Sequence, residues 1–292
     1  MRNVEIEVFP VARTVVNREA VQRWLDYLGA NNYDIPHESM VTDPALLIAL
    51  AAKRCYLSFE PGLNPNVTKV RKDLTEYLDN ILKSGHGSVL EHSSYSFAIE
   101  GVSRVFTGEM NRHRAGVGIS EGSMRYIRFN DIPSWLPTSI TLTENEQHLL
   151  DTVQPGSEMK DETYQAYMLA KKKQASQEVF KKQYAVTELH YQTLEDIWKD
   201  ELAPTSKFHG KKQITSMMRR IVPMGVATGG VWTLNIRALR HVIALRASEA
   251  AEEEIAFVFG KIAKIMAETE PMMFGDFEQS AEGFWTPKYR KV

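Results

Sequence analysis

Hydrophobic positions along the chain recur mostly at helical spacing, with short alternating stretches between them. Val21, Trp24, Leu25 and Leu28 fall on one face of a helix predicted over Arg18–Leu28, and Gly29 supplies the stop. Asp43-Pro44, a cap followed by proline at the first helical position, opens a predicted helix over 44–53. After a loop rich in glycine, proline and asparagine (60–66), Val70, Leu74, Leu78 and Leu82 predict an amphipathic helix ending near Gly85. Strand-like alternation marks the first ten residues, then 94–99 with Tyr95, Phe97 and Ile99, then 124–129. Thr143-x-x-Glu146 is a capping-box pattern. The stretch 162–199 is rich in Lys, Gln and Glu, with apolar residues recurring at three and four, and reads as a helical layer packed by one face. A loop is predicted over 203–212, a helix over 211–222 stopped by Pro223, a glycine-rich strand over 225–233, and helices over 235–246 and 249–269. No internal repeat, low-complexity tail or clean linker interrupts this order. The expectation is one α+β domain over 1–292, a mixed sheet flanked by helices, with a helical insertion at about 140–210.

Composition narrows the picture. The 292 residues carry 35 Lys and Arg against 37 Asp and Glu, so bulk charge gives no argument for nucleic acid as a partner. No apolar run approaches the roughly 18 residues of a membrane span, and the first residues lack a signal peptide's apolar region. The single cysteine, Cys55, excludes an internal disulfide and a multi-cysteine metal site, which makes the cytoplasm the default location. Following an apolar helix, Cys55 is expected in the core, though it is also the one possible thiolate nucleophile.

Three polar clusters could carry chemistry. Arg112-His113-Arg114 is followed by Gly116, Gly118, Ser120, Glu121, Gly122, Ser123, Met124 and Arg125, whose glycines let backbone amides approach a ligand. Guanidinium forks suit phosphate, yet the spacing is neither a Walker A nor a Rossmann fingerprint. An exposed basic loop without a ligand is the competing reading. His86-Gly87-Ser88-Val89-Leu90-Glu91-His92 lies between a helix end and a strand start, where side chains enter clefts. It lacks a third ligand and the H-E-x-x-H spacing, so no metal is expected. On the helix after Asn235, Arg237 and His241 are neighbours at i, i+4, with Arg240 and Arg246 further along. These charges need a polar ligand or ion pairs with Glu249, Glu252, Glu253 and Glu254.

In this order the clusters resemble the signatures of the flavin-dependent thymidylate synthases, the ThyX family. The matches are His86-x-Ser88-x-x-Glu91-His92; Ser103-Arg104 ahead of Arg112-His113-Arg114; Glu121-x-Ser123-x-Arg125-Tyr126; and Trp232-Thr233-x-Asn235-x-Arg237 with Leu245-Arg246. The resemblance spans roughly 51–266 and implies a ThyX-like fold. It implies FAD held by Ser88, Glu91, Arg112, His113, Arg114, Glu121, Asn235, Arg237 and His241. It also implies a nucleotide pocket of Glu109, Arg112, Glu121, Gly122, Ser123, Met124 and Arg125, with Arg246 reaching the pyrimidine as the catalytic group and His86 beside folate and flavin.

The implied reaction moves one carbon from methylenetetrahydrofolate to C5 of dUMP, with NADPH as reductant, giving dTMP. The implied assembly is a cytoplasmic homotetramer with shared sites, without nucleic acid, membrane or metal. Flavin chemistry agrees with a lone thiol lying outside all three clusters, and Ser123, with no histidine base placed beside it, is assigned to binding. Departures bear on substrate and carbon donor. The spacer from Arg114 to Glu121 is one residue longer than in well-known members, and Ser120 replaces Asn. Glu109 stands where many members have Gln, Gly229 where an arginine is often found, and Ala250 and Glu252 where the family has His and Gln. Alternatives are methylation or hydroxymethylation of another pyrimidine nucleotide, UMP or dCMP, and a non-catalytic nucleotide-binding oligomer.

Overall fold

The protein is described here by a computed structural model covering residues 2–125, 131–154 and 160–290. Strands β1 (Arg2–Asn3) and β2 (Glu7–Arg13) lead to α1 (Arg18–Leu28). Asn17 caps α1 and Gly29 ends it at φ 75°, a left-handed conformation that glycine adopts without a Cβ clash. Helix α2 (Asp43–Tyr56) is capped by Thr42 rather than Asp43, whose carboxylate accepts from the Val16 amide and from Arg18. It runs three residues past the apolar pattern, because Lys53 and Arg54 suit a helix C-terminus. That extension carries Cys55 onto the exposed last turn, contrary to the core position expected for it. Helix α3 (Leu74–Lys83) starts on the cap Asp73, which leaves Val70 outside it.

A 3-10 segment, Gly87–His92, precedes β3 (Ser94–Ser103), where Tyr95, Phe97 and Ile99 are buried as the alternation requires. Ser103 Oγ accepts from the Val105 and Phe106 amides and so starts α4 (Arg104–Met110). After β4 (Val117–Glu121) and β5 (Pro133–Ser134), α5 (Glu144–Thr152) opens on the complete Thr143–Glu146 capping box. The long α6 (Asp161–Ile197) is followed by α7 (Lys199–Leu202) and α8 (Phe208–Met218), so the predicted loop at 203–212 ends at 207. Strand β6 (Ala227–Asn235) feeds α9 (Ile236–Arg246). Helix α10 (Glu253–Thr269) starts later than predicted because Glu252 takes the cap, and α11 (Pro271–Phe274), β7 (Phe277–Gln279) and β8 (Trp285–Pro287) close the chain. Of the strand predicted at 124–129, Met124 and Arg125 form a turn and the rest lies outside the described residues.

The chain divides into two compact units. The first (1–7, 100–108 and 121–230) packs Tyr184 and Tyr191 of α6 with Ile132, Leu202, Ile214, Met218 and Val226. Tyr184, Thr187 and Tyr191 recur at three and four, so α6 is packed by one face, as its pattern predicts. Strands β1 and β5 pair in parallel within this unit.

The second unit (8–99, 109–120 and 231–292) carries the antiparallel β7-β8 pair, and the four-stranded sheet of the chain has the order β2-β3-β6-β4. Leu46, Phe97, Trp232, Leu239 and Phe259 are fully buried in this unit. The α+β class expected from the sequence holds. No helix among the described residues is long and apolar enough to cross a membrane.

Candidate functional site

In the second unit, the N-terminus of α9 organises the first polar group. Asn235 caps α9 by accepting from the Ala238 amide (2.8 Å), while its own amide donates to the Gly116 carbonyl (3.0 Å). Gly116 sits at φ 71°, and a Cβ there would fall on the Asn235 side chain. Only glycine therefore lets the loop carrying Arg112, His113 and Arg114 rest on this helix end.

At the other end of α9, Arg246 Nη1 pairs with Glu109 at 2.8 Å, and its Nε donates to His113 Nε2 at 2.9 Å. Accepting that bond requires a neutral imidazole. Burial first, then the Arg246 charge, holds the His113 pKa below its ordinary value, which is consistent with that state. The His241 ring lies edge-on to His113 at 6.5 Å. Arg237 meets Glu91 at 2.6 Å, and Arg112 meets Glu109 at 3.3 Å. Arg112, Arg114 and His241 are exposed.

The structure thus brings Glu91, Glu109, Arg112, His113, Arg237, His241 and Arg246 into linked pairs. Ser88 is exposed on the 3-10 segment, with no described side-chain hydrogen bond to them, and His86 packs its ring 6.0 Å from Tyr56. The α9 arginines Arg237, Arg240 and Arg246 pair with Glu91, Asp276 and Glu109. Arg240 is buried and forks onto Asp276 at 2.6 and 2.9 Å, so it holds the β7 region rather than facing a ligand.

The first unit holds a second group. Arg104, Glu121, Ser123, Arg125, Arg219 and Arg220 line a cavity of about 640 Å³, with Met124 also at its wall. Arg104 pairs with Glu121 and donates to the Gly122 carbonyl at 2.6 Å, while its buried Nε has no hydrogen-bond partner among the described residues. Burial and then the Arg219 charge make Arg104 less basic than an ordinary arginine. The Gly122 amide donates to the Gly229 carbonyl at 2.8 Å. Arg219 and Arg220 escape a reading of the sequence, since a basic pair ending an amphipathic helix looks like a solvated helix end.

Both groups fit what the resemblance implies. The exposed guanidiniums of Arg112, Arg114 and Arg237, with the N-terminus of the 11-residue α9, are donors of the kind a diphosphate such as that of FAD would need. Four arginines around one cavity, one with an orphaned buried N–H, suit a nucleotide phosphate.

The family model described as thymidylate synthase complementing protein, Thy1, matches residues 38–272. A flavin-dependent thymidylate synthase of Mycobacterium sp. (strain JLS) is 31% identical over 245 residues, 84% of each chain. Two solved structures share the fold. The UMP/dUMP methylase PolB from Streptomyces cacaoi, bound with 5-bromo-UMP, matches with TM-score 0.56 and 18% identity over 94% of each chain. Thymidylate synthase X from Helicobacter pylori, with FAD and dUMP, matches with TM-score 0.51 and 18% identity over 93% of this chain and 98% of that one. The chain belongs to the thymidylate synthase complementing protein family, the flavin-dependent thymidylate synthases, and is an enzyme of that methyltransferase class.

Proposed function

We propose that the protein transfers one carbon from methylenetetrahydrofolate to C5 of dUMP, with NADPH as reductant, giving dTMP. The observation that carries this reading is Arg246 held between Glu109 and a neutral His113. A guanidinium fixed by two partners is preorganised to stabilise negative charge developing on a pyrimidine ring, without reorganising during the reaction. FAD, held by Arg112, His113, Arg114, Asn235, Arg237 and His241 with Ser88, Glu91 and Glu121, would supply the reducing equivalents that turn the transferred carbon into a methyl group. Glu121, Gly122, Ser123, Met124 and Arg125 bind the nucleotide, Glu109 and Arg112 read it further, and His86 lies beside the folate. The working form in this proposal is a cytoplasmic homotetramer of single-domain chains that share their sites.

A second reading, in which UMP is the nucleotide, is favoured by Glu109. An ionised carboxylate accepts but cannot donate hydrogen bonds, unlike the glutamine many relatives carry there. Incubation with FAD, NADPH, methylenetetrahydrofolate and each of dUMP, UMP and dCMP, followed by mass analysis of the product, tests both. dTMP alone supports the first reading, methylated UMP the second, and a colourless protein that takes up no FAD defeats both.

A further inference from the structure

We propose that the cavity beside His86 receives the glutamate carboxylates of the folate co-substrate, with Lys53 as its buried anchor. This deepens the folate-dependent reading above and rests on it. The cavity, about 710 Å³, lies within the second unit, and its lining includes Lys53, Asn66, Lys69, Arg71, Asn80 and His86. No aspartate or glutamate is among its lining residues. Three cations around one concavity without an acid select an anionic guest.

Lys53 makes the case specific. It is 1% exposed and lies on α2, a helix otherwise buried through alanines, leucines and isoleucine. Its ammonium donates to the Arg71 carbonyl at 3.1 Å and more weakly to the Ser58 carbonyl at 3.5 Å. The same nitrogen stands 4.5 Å from the Tyr77 ring centroid and 5.5 Å from that of Tyr33. No carboxylate comes within ion-pair distance among the described residues, although a buried lysine normally has one. Burial pulls its pKa down to about 8, so it is still mainly an ammonium at neutral pH.

The other wall groups match a γ-glutamyl chain. Asn66, Asn80 and Thr68 can bond its amides, while Lys69 and Arg71 can meet successive single carboxylates. Arg71 already touches the exposed Glu76 at 3.3 Å, which leaves Lys69 as the outer cation with no ion-pair partner among the described residues. His86, which the family resemblance places beside the folate ring, stands on the same wall. The pteridine end and the glutamate end are thereby assigned to one continuous surface of this unit.

The test uses the full-length FAD-loaded protein and methylenetetrahydrofolate carrying either one or five glutamates. Two readouts are taken, KM in dTMP formation and direct fluorescence titration of each folate, with KM for NADPH as the control. The longer folate is expected to bind wild type about tenfold more tightly, one good charge-assisted contact's worth. Lys53→Met and Lys69→Ala should each erase most of that preference and leave NADPH unaffected. Equal binding of the two folates by wild type, or variants that shift KM for NADPH instead, would overturn the assignment. If Lys53→Met fails to melt cooperatively or hold FAD, Lys69→Ala decides alone. Wild type that shows the tail preference in the titration but makes no methylated nucleotide would refute the reaction while sustaining the site. Wild type that makes dTMP without the preference would do the reverse.

Discussion

Arg246→Ala separates what this side chain does for the fold from what it does for the reaction. In the folded chain the guanidinium is 19% exposed and makes two charge-assisted contacts, to Glu109 at 2.8 Å and to His113 Nε2 at 2.9 Å. Fully buried, each would be worth about 1.5–3 kcal/mol; partial exposure brings each nearer ~1 kcal/mol, for a total near 2 kcal/mol. That lowers Tm by about 4–8 °C in a protein of this size and leaves the enzyme folded at 25 °C. Loss of a preorganised donor at a developing negative charge costs about 3–4 kcal/mol more in the transition state, or about 10²–10³ in kcat. The assay pairs initial rates of dTMP formation with thermal melting and FAD titration of the same preparation. The expected pattern is a large loss of kcat, a modest fall in Tm and FAD affinity within about twofold of wild type. FAD lost in parallel with turnover, or turnover within a few-fold of wild type, would refute the assigned role.

His113 makes a pH prediction with a definite sign. Its folded pKa lies below the ordinary 6.5, and only the neutral ring accepts from Arg246, so kcat/KM should hold steady down to about that pH and fall on the acid side of it. Its contribution to stability follows the same direction, present above 6.5 and lost as pH falls through the depressed value. An acid limb at or above 6.5 that persists in His113→Gln would contradict this.

Gly116→Ala should weaken FAD binding and cost about 1–3 kcal/mol of stability, because its φ of 71° and the Asn235 side chain both oppose a Cβ. Unchanged melting and FAD titration would count against the proposed seating of the loop. Lys53, lowered from 10.5 to about 8 in the folded chain, binds a proton more readily when unfolded. Stability should therefore rise with pH from about 8 toward 10, by up to ~3 kcal/mol. Denaturant melts of wild type should show that rise and those of Lys53→Met should not.

What was legible in the chain was local. The stop of α1 at Gly29, the Thr143–Glu146 box and the Asn235 cap of α9 each depend on residues within one turn, so spacing alone identifies them. The alternation of β3 was legible because Tyr95, Phe97 and Ile99 on one face are buried while Ser94, Ser96 and Ala98 on the other are only partly so. Elements whose limits depend on distant packing were not. Helix α8, which packs Ile214 and Met218 with Tyr184 and Tyr191 of α6, begins inside a polar stretch that composition reads as loop.

The site divides in the same way. Clustered arginines and histidines mark themselves by density, and their family order gives them roles. Arg240 carries the same signal as Arg237 and Arg246, yet its partner is Asp276, far along the chain. Lys53 is the converse case: one lysine in an apolar helix looks like a solvated end, and only the loop over 58–71 and the Tyr77 ring turn it into a buried charge.

The central claim is that these arginines serve a flavin-dependent methylation of a uracil nucleotide. The most direct measurement is the mass of the nucleotide formed from dUMP by purified protein with FAD, NADPH and methylenetetrahydrofolate, each omitted in turn. The expected result is dTMP, heavier than dUMP by one CH2 as a methyl replaces the C5 hydrogen, formed only when all three are present. Unchanged dUMP from a protein that has bound FAD, or dTMP formed equally well without flavin, would contradict it.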